Sequence, residues 1–258
     1  MLIVISPAKT LDLEAGSGPA MTDPVFAQDA LRLAKRARQL SLAELKRLMG
    51  LSDALGRLNR ERFRAFETTP KAEALTPAAL TFAGDTYQGL WARDFSDDEW
   101  AVAQRRLRIL SGLYGLLRPL DGIQPYRLEM GAKLQNRRGR NLYSYWGDQI
   151  AQHLNAEADA LGTDILLNCA SQEYFRAVDR VSLKLRVITP VFLEEREDGD
   201  KVISFFAKRA RGAMARFAIT GGVSRPEHLL EFEGLGYRYR PDLSEEDAPV
   251  FSRSSEPG

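Results

Sequence analysis

Cysteine occurs once, at Cys169, and histidine twice, at His153 and His228. A single thiol excludes an intrachain disulfide and a multi-cysteine zinc site. So few thiol and imidazole ligands disfavour a transition-metal centre or direct iron storage, which leaves carboxylates as the groups suited to Mg²⁺. No metal and no cofactor are therefore expected. No apolar run approaches the roughly 20 residues of a membrane span. The start, MLIVISPAKT, has a short apolar run and no basic flank, so a signal peptide is not expected and the cytoplasm is the expected location. The net charge is only +1, too small for a global field that draws the chain to nucleic acid or membrane. Walker A, G-x-G-x-x-G, H-E-x-x-H and G-x-S-x-G patterns are absent, which removes the usual nucleotide-binding and hydrolase signatures. There are no tandem repeats and no interdomain linker.

What is present predicts an α/β fold, in the mixed α+β sense, as one compact domain over residues 1–258. Leu2–Ile5 is a continuous, β-branched apolar run and predicts a buried strand. Ser6, Lys9 and Thr10 follow it at once, where open α/β sheets place ligand groups. Lys9 is a candidate anion ligand, with Ser6 and Thr10 as hydroxyl donors. Ile165–Leu167 predicts a second buried strand, again followed by small and polar residues that include Ser171, Glu173 and Tyr174. Cys169 has no histidine in local reach and reads as a small buried hydrophobe.

Asp23-Pro24 predicts the N-cap and first turn of a helix reaching about Gln39. Ser41–Glu44 and Ser96–Glu99 are capping boxes. Trp100, Ala103, Leu107 and Leu110 mark one helical stripe. Leu80–Phe82 predicts a strand. Leu185–Leu193 and Lys201–Phe206 flank an acidic turn and predict a β-hairpin. Residues 14–20 are expected to be mobile, residues 237–251 to form a terminal strand or two, and residues 241–258 an acidic, partly flexible tail.

Charge is unevenly spread. Residues 24–66 carry ten Lys/Arg against four acids, and residues 227–258 eight acids against three arginines. This suggests a localised anion-binding face. Within the basic block, Gly50 separates two predicted helices and Ser52 caps the second. That is the layout of a helix-hairpin-helix over about residues 41–66, in which free N–H groups and the helix dipole favour a DNA phosphate. Arg47, Arg57, Arg60 and Arg64 supply nearby charge. A second basic element is Ala207–Phe217, where Lys208, Arg209, Arg211 and Arg216 fall within an arc of roughly 160° on a helix of 3.6 residues per turn.

Leu110–Gly131 (LSGLYGLLRPLDGIQPYRLEMG) is punctuated by glycine and proline yet rich in Leu and Tyr. It reads as a structured binding loop, with Lys133 just beyond it. Its Tyr126, Arg127 and Glu129 are the polar groups in need of a role.

ISPAKTLD, FAGDTYQGL, the Leu110–Gly131 stretch, LYSYWGD, LNCASQEYF and FFAKRARGAMARF occur together and in this order. In this the chain resembles the YaaA family, the bacterial peroxide-stress-resistance proteins. The resemblance runs from Met1 to about Phe217 and more loosely to Phe251. It implies a cytoplasmic protein that protects cells from hydrogen peroxide by limiting free intracellular iron. It further implies a family-specific mixed α/β fold, with a helix-hairpin-helix and a positively charged cleft that binds duplex or distorted DNA. Ser41–Arg64, with Gly50, matches the helix-hairpin-helix position. No enzymatic activity is implied.

Two functions from different classes follow. The first is a monomeric DNA-binding stress protein that holds phosphate at Gly50, Ser52, Arg47, Arg57, Arg60, Arg64, Lys208, Arg209, Arg211 and Arg216. The second is an enzyme acting on a small phosphorylated or nucleotide-like ligand in a cleft of Ser6, Lys9, Thr10, Tyr126, Arg127, Glu129, Lys133, Ser171, Glu173 and Tyr174. Here Lys9, Arg127, Glu129 and Lys208 are the catalytic candidates, because a DNA clamp has no need of the Glu129 carboxylate. Convergence of those four favours the second function.

Overall fold

The computed structural model describes residues 1–14 and 19–254. Most of the segment expected to be mobile, and the last four residues, lie outside the described residues. The elements begin with β1 (Leu2–Ile5), β2 (Thr10–Leu11), α1 (Ala27–Arg38), α2 (Leu42–Met49), α3 (Asp53–Ala65), β3 (Thr76–Pro77), α4 (Ala78–Thr81), β4 (Phe82–Ala83) and α5 (Asp85–Leu90). They continue with α6 (Asp97–Arg106), β5 (Leu107–Ser111), β6 (Gly115–Leu117), β7 (Gly122–Ile123), α7 (Leu142–Trp146), α8 (Gln149–Leu161), β8 (Ile165–Cys169) and α9 (Gln172–Phe175). The chain closes with β9 (Arg186–Ile188), β10 (Val191–Glu195), α10 (Ser204–Thr220), β11 (Arg238–Tyr239) and β12 (Val250–Ser254). The architecture is mixed α/β.

The main sheet has the order β6-β5-β1-β8-β9, parallel except for β6. A strand central in a parallel sheet is covered on both faces, which is why Leu2–Ile5 is uninterrupted apolar sequence and fully buried. The chain leaves β1 for β5 on one side and later places β8 on the other. β1 is thus the topological switch point, and the crevice beyond its C-terminal end is where such sheets bind ligands. A smaller sheet, β10-β12-β11, packs its Phe192 and Phe251 against Phe232 and Tyr237. Both sheets join one contiguous apolar core.

Helix α10 bridges the two sheets and crosses α5 at very short range. A Cβ on Gly89 would overlap the Arg209 carbonyl oxygen, and one on Gly212 would overlap that of Thr86. Only glycine permits this approach. The crossing fixes the rotation of α10, and with it which of its basic residues face the crevice.

Several sequence expectations are corrected. α1 starts at Ala27, a turn later than Asp23-Pro24 predicts, because Thr22 exchanges backbone hydrogen bonds with Leu120 and Gly122. Leu107 and Leu110 belong to β5 and not to a helix; α6 stops at Arg106, whose guanidinium binds the Met1 and Val223 carbonyls. Residues 78–81 are a helical turn that ends in the two-residue β4. The expected hairpin closes only through the Glu194–Lys201 bridge, since Ser204 already begins α10 and β10 pairs with β12. Within the stretch expected to be an acidic tail, residues 241–254 are built into the fold: β12 is the middle strand of its sheet, and Arg186 holds Glu246 and Asp247 in ion pairs. The two capping boxes form as expected.

Candidate functional site

A cavity of about 1230 Å³ opens at the C-terminal ends of β1 and β8, between α5, α9, the β9–β10 junction and α10. Ser6, Lys9 and Thr10 reach it from the end of β1, and Ser171, Glu173 and Tyr174 from the end of β8. The two strand ends are tied together, because the Ser171 N–H donates to Ser6 Oγ at 2.9 Å. Tyr87 braces the same turn by donating its hydroxyl to the Ser6 carbonyl at 3.1 Å. Glu173 Oε1 accepts the Gly131 N–H at 2.9 Å, which ties the end of the Leu110–Gly131 stretch to this rim.

Lys208 and Arg211 lie one turn apart on α10 and both face the cavity. Among the described residues neither makes an ion pair or a side-chain hydrogen bond. Arg211 is half-buried, and burial pulls its guanidinium below the ordinary arginine range, with the Cys169 thiol acting in the opposite sense. The other two basic residues expected on this face are placed elsewhere. Arg209 is exposed, with its carbonyl against Gly89. Arg216 donates to the Leu90 and Trp91 carbonyls, pairs with Asp94 at 3.1 Å and stacks on Phe95.

Behind Lys9 lies the Glu129 cluster. Arg127 pairs with Glu129 Oε1 at 3.0 Å, and Lys9 Nζ approaches the same oxygen at 3.7 Å. Glu129 Oε2 is buried and has no hydrogen-bond partner among the described residues. The Tyr126 hydroxyl shares a 2.6 Å hydrogen bond with Ser111. Burial is the main reason that the Tyr126, Tyr174 and Tyr87 phenols are pushed up and stay neutral. Lys9 therefore joins two groups of the sequence analysis, the Arg127–Glu129 pair and the cavity that Lys208 lines. Lys133 is exposed and outside the cavity lining.

The α2–α3 corner is a separate feature. Gly50 is left-handed at φ 61°, as a helix-ending residue with no Cβ allows. Its N–H and that of Leu51 both go to the Lys46 carbonyl, so they serve the corner itself. Ser52 caps α3 by accepting the Leu55 N–H, and Lys46 pairs with Asp53. Arg47, Arg57 and Arg64 are exposed and Arg60 partly so, and none of the four makes an ion pair among the described residues.

Sequence reasoning missed part of the cavity. Arg176 stacks on Tyr143 and Arg180 on Phe175, and both line the cavity with Asn168 and Thr189. The i, i+4 spacing of the two arginines just after the second strand motif was the available signal. Pro190 was another: it splits the run 185–193 into strands of two different sheets. Among the described residues no group of three or more His, Cys, Asp or Glu is placed to share a metal ion, and no helix is long and apolar enough to cross a membrane.

A family model described as peroxide stress protein YaaA matches residues 1–243. The chain belongs to that family. It is 60% identical over 253 residues to a UPF0246 protein of Ruegeria pomeroyi, with 98% of each chain covered. It is 60% identical over 255 residues to a UPF0246 protein of Roseobacter denitrificans, again with 98% of each covered. A UPF0246 protein of Dinoroseobacter shibae is 55% identical over 253 residues, covering 98% of this chain and 95% of its own. YaaA membership places the chain among peroxide stress proteins.

Proposed function

We propose that this YaaA-family protein acts in the cytoplasm as a monomer that binds DNA through the phosphate backbone, and so limits oxidative DNA damage and free intracellular iron. The observation that carries the reading is the pair Lys208 and Arg211, two cations of one helix face that line the cavity, neither of which forms an ion pair among the described residues. Partly burying the Arg211 guanidinium is costly unless an anion meets it, and a phosphate is the anion that a DNA partner brings. Lys9, Arg176 and Arg180 add cations to the same lining, which also holds the carboxylates of Asp85, Glu173 and Asp179. The α2–α3 corner, read as a helix-hairpin-helix, adds a second contact through Arg47, Arg57, Arg60 and Arg64. With its Gly50 and Leu51 N–H groups already used, that corner contributes mainly side-chain charge.

Because such contacts address phosphate and not base edges, little sequence preference is expected. The test is fluorescence anisotropy of labelled duplex over a range of salt. Affinity should fall linearly on a log–log plot, and each cation removed should flatten the slope by about 1. Lys208→Ala with Arg211→Ala should weaken binding at least about tenfold at fixed salt. Salt-insensitive binding, or unchanged affinity in the double variant, would overturn the reading.

A second reading, an enzyme acting on a phosphorylated or nucleotide-like small molecule, is favoured by the contact of Lys9 with Glu129 beside the cavity. It requires turnover that Lys9→Ala abolishes while duplex binding survives.

A further inference from the structure

A duplex lying across the cavity mouth meets the exposed side chains of Lys9 and Lys208. It does not meet Arg211 in the same way. That guanidinium is half-buried in the wall, next to the thiol of Cys169, which is itself only 1% exposed at the end of β8. The cavity is also far larger than a phosphate group needs. At about 1230 Å³ it exceeds the roughly 300–1,000 Å³ of ordinary small-molecule pockets. Besides its cations and the carboxylates of Asp85, Glu173 and Asp179, its walls carry hydroxyl and amide groups from Ser6, Asn168 and Thr189, and apolar surface from Pro7, Ala8, Pro190 and Val202. A backbone phosphate has no use for the apolar surface, whereas a base does.

We propose that the cavity receives an unpaired or extruded nucleotide of the bound DNA strand. Its phosphate pairs with Arg211, Lys208 closes the rim and the base lies against the Pro7–Pro190–Val202 side. This rests on the DNA reading and deepens it. Extrusion costs a few kcal/mol of stacking and pairing, least where the base is already unpaired. Unpaired positions are therefore the preferred point of entry.

The experiment uses the full chain and DNA carrying 2-aminopurine, whose emission rises when it leaves the stack, at an unpaired position within a bubble. Binding should raise the emission at least about twofold. Val202→Met and Ala8→Met, two flexible fillers of the apolar side, should each remove most of that rise while duplex affinity stays within about twofold, because the cations are untouched. Two fillers on different elements keep the test intact if one of them fails to fold. Salt-dependent binding with no change in emission, or a rise that both fillers leave intact, overturns the nucleotide site and spares the DNA reading. Absence of any binding to duplex or bubble defeats both. Free mononucleotide bound as tightly as the oligonucleotide overturns the strand-borne form.

Discussion

Arg108, on β5 of the main sheet, and Arg211, on α10 packed against it, are both arginines drawn toward the interior, and their surroundings differ completely. Arg108, 5% exposed, donates to both carboxylate oxygens of Glu157 at 2.7 and 2.6 Å and to the carbonyls of Gln104 and Leu107. Arg211 has no carboxylate and no carbonyl partner among the described residues. A fully satisfied buried arginine is structural: it fixes α8 to the strand edge. A half-buried arginine without a partner, facing a cavity at the switch point of the sheet, retains its charge for something that arrives. The contrast sorts the many arginines of this chain better than their number does.

The largest effect should come from making Arg108 resemble Arg211. Glu157→Ala leaves a buried guanidinium without its anion and should cost about 3–5 kcal/mol. In urea unfolding that is a large leftward shift of the midpoint with little change in slope. A loss under about 1 kcal/mol would mean that solvent reaches Arg108 after all, and the contrast would collapse.

The same pair gives a pH signature. Burial alone pushes the Glu157 carboxyl up, but hydrogen bonds from His153 and Arg108 outweigh it and hold the group below the usual glutamate range. A carboxylate whose folded value is lowered contributes stability that is complete above its unfolded pKa of about 4.3 and is lost as pH falls through the folded value. Acid titration of wild type should therefore show a loss below about pH 4 that Glu157→Gln lacks. Equal acid limbs in the two proteins would remove this pair from the explanation of acid unfolding.

The next effect, in the other direction, concerns α10. Arg211→Met should leave stability unchanged or slightly raised, because it removes a desolvated charge, while DNA affinity falls about tenfold. Arg216→Met, less than two turns further on, should do the reverse. It loses the Leu90 and Trp91 carbonyls and Asp94, so stability drops by about 1–2 kcal/mol and affinity holds. Two variants with the same profile would show that α10 presents one basic face, as the arc of roughly 160° suggests.

That arc shows where the sequence was legible and where it was not. Periodicity placed Lys208 and Arg211 on one face, but it could not see that Gly89 and Gly212 seat α10 against α5 and turn Arg216 away from the crevice. The end of β1 was readable because a buried central strand is continuous apolar sequence, and the polar residues beyond it had to surface at its C-terminal edge. Glu129 stood out chemically in its loop, but its contact with Lys9 joins residues 120 apart in sequence, and no local rule foresees it. The helix–strand error at Leu107 and Leu110 has a similar origin. A fully buried strand and the buried stripe of a helix are both apolar, and only the sheet that surrounds β5 decides between them.

The smallest expected effect tests the same contrast from the other side. In a peroxide stress family, a lone cysteine in the cavity wall invites a redox role, and Arg211 beside it would stabilise a thiolate. Burial wins: it pushes the Cys169 thiol up to about 12, with Arg211 pulling only weakly in the opposite direction. The nucleophile toward peroxide and alkylating reagents is the thiolate, so the native protein near neutral pH should be labelled by iodoacetamide negligibly, and stoichiometrically only in urea. Cys169→Ser should keep DNA affinity within about twofold and leave protection against peroxide intact, since no cation contact with phosphate is lost. Rapid labelling of the native protein would reverse the argument. Arg211 would then have an anionic partner within its own chain, would resemble Arg108, and would no longer point to phosphate.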